Sequence, residues 1–166
     1  MSPSTFNVLL VCTGNTCRSP MAEGILKSIL KERGIDNITV LSAGTGALNG
    51  LPATPFAIAA ARLWNVDISG HRSRELNDDL IKSADLILAM TPEHVEFIRR
   101  RDVGGMQKTY LIKAFPAPYS STQEGVSDPI GGTLDDYNQT YLELDEVLRR
   151  IVARISEIAG SRSKEP

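Results

Sequence analysis

A short apolar run, Val8-Leu9-Leu10-Val11, passes without a linker into Cys12-Thr13-Gly14-Asn15-Thr16-Cys17-Arg18-Ser19-Pro20, and this junction constrains the fold more than any other feature of the chain. Residues 6–11 read as a buried strand, and the small, turn-tolerant Gly14 and Asn15 as a tight loop. A helix then starts at Arg18 to Met21, with Pro20 accommodated in its first turn. Three further β-prone runs, residues 38–43, 86–90 and 109–112, are separated by helical stretches, and such alternation argues for a parallel sheet in an α/β protein.

The first helix is expected to run to Arg33, where Gly34 supplies a stop. A second begins at Thr54-Pro55, a good N-cap followed by a good first helical residue, and extends to Leu63. Helices are also predicted over residues 73–83, 92–101 and 134–158. In the last of these Tyr137, Tyr141, Leu144, Leu148, Ile151, Ile155 and Ile158 recur every three or four residues and form one core-facing stripe, leaving Arg149, Arg150 and Arg154 on a solvated face. The tail, residues 160–166, is expected to fray. One long irregular stretch, residues 115–133, holds three prolines and three glycines; a loop of that length in a compact domain is usually functional.

Neither a linker nor an internal repeat divides the 166 residues, so a single domain spanning 1–166 is expected. A net charge of −2 lacks the basic excess of a nucleic-acid binder, and no apolar stretch approaches the ~20 residues of a membrane span. No basic residue precedes the first apolar run as an export signal would require, so a cytoplasmic location is expected. Cys12 and Cys17 are too few and too close for a stapled secreted framework; a reducing compartment and a chemical role fit them better. The only histidines, His71 and His94, lie in segments separate from the cysteines, which argues against zinc, and neither a metal nor a cofactor is expected.

The strand–loop–helix junction is an anion site. Successive backbone N–H groups of a small-residue loop converge, and the helix N-terminus adds partial positive charge. Thr13, Gly14, Asn15, Thr16, Cys17 and Ser19 are therefore the expected binding positions for a tetrahedral dianion. Arg18 can curl back to present a two-pronged guanidinium to the same anion. Cys12 sits where that field should lower its pKa and make it a nucleophilic thiolate, with Ser19 donating a hydroxyl hydrogen bond to the sulfur. The loop is neither a Walker loop nor a dinucleotide fingerprint. Cys17 either packs quietly or forms a reversible disulfide with Cys12.

The run V-C-T-G-N-T-C-R-S-P-M-A-E resembles the signature of the low-molecular-weight protein tyrosine phosphatase family. Ser42-Ala43-Gly44, Ala53-Thr54-Pro55, residues 84–90 and Asp128-Pro129 resemble further family landmarks, in the family's order. The resemblance implies a three-layer α/β/α fold, with a four-stranded parallel sheet of order 2-1-3-4 and the phosphate loop at the topological switch point. It also implies that Asn15, Ser42 and His71 brace the loop, and that the partners are phosphorylated proteins; the composition points to no nucleic acid or membrane partner, and a monomer is expected. Expelling a leaving group requires a proton donor, and hydrolysing a thiophosphate requires a base; Asp128, aimed by Pro129 inside the long loop, is expected to serve both steps. Asp135 and Asp136 instead suit the N-terminus of the last helix.

Two positions depart from the tyrosine-specific pattern. Thr16 stands where that pattern has an aliphatic residue, and Ile130-Gly131-Gly132 stands where it has aromatics. A phenol ring wants apolar walls, whereas a guanidino group is slender and rich in N–H donors. Both features resemble the protein arginine phosphatase branch, so phosphoarginine is the expected substrate, with phosphotyrosine as the alternative. A thiol-relay arsenate reductase would need cysteines beyond Cys17, and a non-catalytic phosphate-binding module would be expected to lack Cys12, Arg18 or Asp128.

Overall fold

The structure is a computed structural model that describes residues 5–101 and 103–162. Four parallel strands, β1 (Phe6–Cys12), β2 (Ile38–Gly44), β3 (Leu86–Ala89) and β4 (Thr109–Leu111), lie in the order β2-β1-β3-β4. This is the architecture anticipated from the alternating runs and the resemblance. Every residue of β1 is buried, as a central parallel strand covered on both faces requires.

Side chains of β1 alternate between two cores. Val8 and Leu10 face a layer made by α1 (Arg18–Glu32), α2 (Pro55–Arg62) and α5 (Leu134–Arg162). Leu9 and Val11 face Ile81 of α3 (Asp78–Ser83) and Ile98 of α4 (Pro92–Arg101). The predicted stripe on the last helix is that core contact: Tyr137, Tyr141, Leu144, Leu148, Ile151 and Ile155 are buried, and Ile158 packs against them.

Two expectations need correction. Residues 73–83 are not one helix. Residues 73–76 run extended beside the end of β2, where Gly44 N donates to Arg74 O (3.0 Å) and Leu76 N to Gly44 O (2.8 Å), and Glu75 bridges Gly44. The helix starts only after Asn77, whose side chain caps Leu80 N at 2.9 Å; the N–H groups of Ser73, Arg74 and Glu75 go instead to Leu51 O, Asn15 Oδ1 and Asn49 Oδ1, and that of Leu76 to β2. The last helix also continues to Arg162 rather than stopping at Ile158, so residues 160–162 are ordered helix, while residues 163–166 of the expected frayed tail lie outside the described residues.

Residues 115–133 contain no helix or strand, as expected. They are nonetheless anchored across the end of β3, because buried Val126 donates its N–H to Met90 O at 2.8 Å. Gly125 is required there, since a Cβ would lie 2.6 Å from that same carbonyl. Among the described residues no helix is long and apolar enough to cross a membrane.

Candidate active site

The loop from Cys12 to Ser19 leaves β1 beside the end of β2 and enters α1 at Arg18. Asn15 adopts a left-handed backbone (φ 55°), a conformation that Asn tolerates better than most residues. Gly44, the strand partner of Cys12, has no room for a side chain: a Cβ would collide with Thr13 O and lie 2.9 Å from Asn15 N. Opposite these, Thr54 N donates to Thr16 O at 2.9 Å, so the residue that caps α2 also pins the loop.

Asn15 is wholly buried and is the centre of the bracing. Its amide nitrogen donates to Ser19 Oγ (2.8 Å) and to Ser42 Oγ (2.9 Å), and its amide oxygen accepts from Arg74 N (2.9 Å). Both amide hydrogens and the carbonyl are thus used, so the side chain is held in one orientation. His71 Nε2 donates to Asn15 O at 2.7 Å, and burial lowers its pKa, keeping the ring neutral. Ser42 passes its own hydrogen to Glu23 Oε1 at 2.7 Å. Asn15, Ser42 and His71 are thus brought together by hydrogen bonds through Asn15. Glu23 and Arg74 are additions; Glu23 closes the quoted sequence run, whereas nothing local to Arg74 marks its N–H.

Cys12 Sγ lies 2.7 Å from Ser19 Oγ and 3.3 Å from Asn15 N. Because Ser19 Oγ receives the Asn15 amide hydrogen, its own hydrogen is free to go to sulfur. The balance of forces on the thiol differs from expectation. Burial pushes the Cys12 pKa up, and the Ser19 hydroxyl, the Ser19 N–H, Arg18 and the Asn15 N–H pull against it without overcoming it. The reason is the depth of the sulfur, which is 2% exposed, so the loss of hydration outweighs the donors and the Arg18 charge around it.

The Arg18 guanidinium is buried and donates from Nη1 to Val126 O (2.9 Å) and from Nη2 to Thr13 Oγ1 (3.4 Å). Nη2 is also 3.4 Å from Asp128 Oδ2. Asp128 comes from the long loop, on the exposed side, and its other oxygen accepts from Ile130 N at 3.1 Å. The turn behind it is tight: Gly132 N donates to Pro129 O (2.9 Å), Gly131 has φ 79°, and a Cβ on Gly132 would lie 2.9 Å from Pro129 O. The two glycines after Ile130 thus serve the turn. An open cleft of about 540 Å³ extends from Asp128 and Ile130 to Asp136, Gln139 and Glu143 of α5. Asp136 caps its own helix by accepting from Thr133 N at 2.8 Å, as expected of an acidic residue at a helix start.

Thr16 is half-buried, and among the described residues its hydroxyl makes one long contact, to Cys17 Sγ at 3.9 Å. Gly14, also half-buried, is close enough that a Cβ there would meet Thr16 Oγ1 at 3.5 Å. Both cysteines are free. Cys17 is buried between Thr54 Oγ1 (3.6 Å) and Tyr137 Oη (3.4 Å), the packed arrangement of the two readings. Sequence reasoning also missed His94, which reaches Thr13 Oγ1 at 2.9 Å. The available signal was its position, in a Thr-Pro-x-His run directly beyond the carboxyl end of a parallel strand, where α/β sites gather.

With this geometry in view, comparison with known proteins is informative. A family model described as low molecular weight phosphotyrosine protein phosphatase matches residues 7–160. The chain is 38% identical over 151 residues to the protein-arginine-phosphatase of Bacillus subtilis (strain 168), covering 91% of this chain and 97% of that one. It is 46% identical over a shorter stretch of 114 residues to the probable low molecular weight protein-tyrosine-phosphatase EpsP of Ralstonia solanacearum, covering 69% and 66%. Among solved structures, a YwlE arginine phosphatase, a cysteine-to-serine mutant with phosphorylated active site serine, superposes with a TM-score of 0.83 at 38% identity, covering 91% of this chain and 96% of that one.

Proposed function

The chain belongs to the low molecular weight phosphotyrosine protein phosphatase family, and from that premise we propose that it is one phosphatase domain removing phosphoryl groups from arginine side chains of proteins. Cys12 attacks phosphorus as the thiolate, its proton having left before the step, and forms a P–S bond as the P–N bond breaks; Asp128 supplies the proton that the departing guanidino nitrogen requires, and sulfur leaves again as thiolate in the second step. Asp128, now a carboxylate, takes a proton from water as that water attacks phosphorus. The P–S bond breaks, and inorganic phosphate and Cys12 are released with Asp128 again protonated.

The loop carries the binding. Backbone N–H groups of residues 13–19 and the Arg18 guanidinium surround the phosphoryl oxygens, Ser19 steadies the sulfur, and Asn15, Ser42 and His71 hold the loop in shape. The observation that carries this reading is Cys12 Sγ at 2.7 Å from Ser19 Oγ in a fully braced loop, with Arg18 and Asp128 across from it. Reduced Cys12 and Cys17 fit a reducing compartment such as the cytoplasm.

Arginine is favoured by the Thr16 hydroxyl, held only by the long contact to Cys17 Sγ among the described residues, by the glycines after Asp128-Pro129 that leave the rim without an aromatic wall, and by likeness to arginine phosphatases along nearly the whole chain. The second reading, phosphotyrosine, draws on the higher identity to EpsP over its shorter stretch, and on Phe56, a partly exposed ring packed edge-on against Tyr137. The test is turnover of phosphoarginine and phosphotyrosine peptides of matched sequence by wild type and Cys12→Ser. Wild type is expected to prefer phosphoarginine, and Cys12→Ser to lose turnover while still binding phosphate. Turnover near wild type in Cys12→Ser would eliminate the covalent route.

A further inference from the structure

His94 is a buried titratable side chain that touches the phosphate loop and has no part in the chemistry described above. His94 is 2% exposed, in the first turn of α4, just beyond the carboxyl end of β3. Its Nδ1 lies 3.1 Å from the backbone N of Thr91. A backbone N–H can only donate, so Nδ1 carries a lone pair, and the hydrogen of the neutral ring sits on Nε2. Nε2, 2.9 Å from Thr13 Oγ1, therefore donates to that oxygen. The same oxygen receives Arg18 Nη2 at 3.4 Å. A hydroxyl oxygen has two lone pairs, and both are taken. The Thr13 hydrogen is left for a third partner, and Thr13 is exposed on the loop that binds phosphate.

We propose that His94 is a positioning residue for the phosphatase reaction: through Thr13 it holds Arg18 in place and leaves the Thr13 hydroxyl hydrogen free for the incoming phosphoryl group. This rests on the phosphatase reading. Arg18 has three holds, Val126 O, Thr13 Oγ1 and Asp128 Oδ2. The phosphoryl group displaces Asp128, after which Val126 and Thr13 alone fix the guanidinium plane for its two-pronged contact. Nδ1 also lies 3.0 Å from Thr91 Oγ1, and in the neutral ring its lone pair meets the Thr91 N–H while Nε2–H goes to Thr13. Burial, and then the charge of Arg18, bring the His94 pKa down to about 4, while Glu93 and Asp128 pull the other way. The ring is thus neutral wherever the thiolate chemistry operates.

The experiment measures inorganic phosphate affinity and kcat/KM for Thr13→Val, His94→Ala, the double variant and His94→Gln, whose amide N–H reaches the Nε2 position. Each single loss is expected to weaken phosphate binding and kcat/KM by about tenfold. The double variant should be no worse than the weaker single, since both act through one contact, and His94→Gln should recover most of the loss. Multiplying effects in the double variant, or His94→Gln as impaired as His94→Ala, would overturn the proposal and leave His94 as core filler. Should His94→Ala not fold, ¹⁵N NMR of the wild-type ring decides: hydrogen on Nε2 is expected, and the opposite tautomer refutes the assignment. Phosphate affinity and tautomer are read without turnover, so the two failures are told apart: a chain inactive in every form strikes the phosphatase reading, whereas unchanged phosphate affinity in His94→Ala and Thr13→Val strikes the positioning role alone.

Discussion

Arg18 and Asp128, the two charged groups assigned to one phosphoryl group, are paired with each other, Nη2 to Oδ2, at 3.4 Å. The guanidinium is buried and the carboxylate half-exposed, so the pair sits at the boundary between loop and solvent. An arriving phosphoryl dianion competes with Asp128 for Arg18. Its binding therefore releases the carboxyl group that must next carry a proton.

Replacing Asp128 by Asn separates these two duties. The variant should bind inorganic phosphate or vanadate more tightly, by up to about fivefold, the scale of a half-exposed ion pair. Turnover of substrates with poor leaving groups should fall roughly 10²- to 10⁴-fold. Binding titration beside steady-state kinetics checks both, and weaker phosphate binding in Asp128→Asn would contradict the competition.

At Cys12, burial raises the thiol pKa, and the Ser19 hydroxyl is the foremost group acting against it. Ser19→Ala removes that opposition. The pH midpoint for alkylation of Cys12 by iodoacetamide should move upward and the rate at neutral pH should drop, with a Cys12→Ser background subtracting reaction at Cys17. An unmoved midpoint would show that Ser19 does not donate to the sulfur.

The two histidines make stability depend on pH. His94, with its pKa near 4 in the folded chain against 6.5 as its ordinary value, stays neutral where the unfolded chain has already taken up a proton. The unfolded state then binds more protons, so stability falls as pH drops from about 6.5 toward 4, by on the order of 3 kcal/mol for this residue. His71, also lowered by burial, adds in the same direction. Melting temperatures measured from pH 7 to 4.5 should fall in wild type and fall less in His94→Gln; parallel curves would remove His94 as the source.

Much of this was legible in the chain because short-range chemistry specified it. The run from Val8 to Pro20 states strand, loop and helix in order, and the structure keeps all three. Thr54-Pro55 and the stripe from Tyr137 to Ile155 were equally direct. The failures have a common cause, namely contacts distant in sequence. Residues 73–76 have no strand-like pattern and are extended where Gly44 of β2, Leu51 O and the side chains of Asn15 and Asn49 offer them backbone partners. His94 reads as an ordinary helix-start residue until the fold carries it to Thr13. The Cys12 field was argued from the loop's own charges and N–H groups, whereas burial of the sulfur by the assembled core is what raises its pKa.

Thr16 separates the two substrate readings. Its backbone is pinned by Thr54 and its hydroxyl is unengaged but for Cys17 Sγ at 3.9 Å, so a substitution there alters the floor of the site without breaking the loop's bracing. Thr16→Ile keeps β-branching, deletes the hydroxyl and faces the leaving group with hydrocarbon. A guanidino group that had used the hydroxyl is left beside an apolar wall, a loss worth about 1 to 3 kcal/mol, or about 10- to 100-fold. A phenol ring loses nothing by the change and gains apolar contact. The ratio of kcat/KM for phosphoarginine over phosphotyrosine, measured on peptides of matched sequence with an enzyme-free control for the labile P–N bond, should therefore be high in wild type and fall at least about tenfold in Thr16→Ile. A wild-type ratio below one would transfer the assignment to phosphotyrosine. An unchanged ratio in the variant would show that Thr16 does not read the leaving group, leaving the glycine-built turn behind Asp128 as the remaining structural basis for arginine.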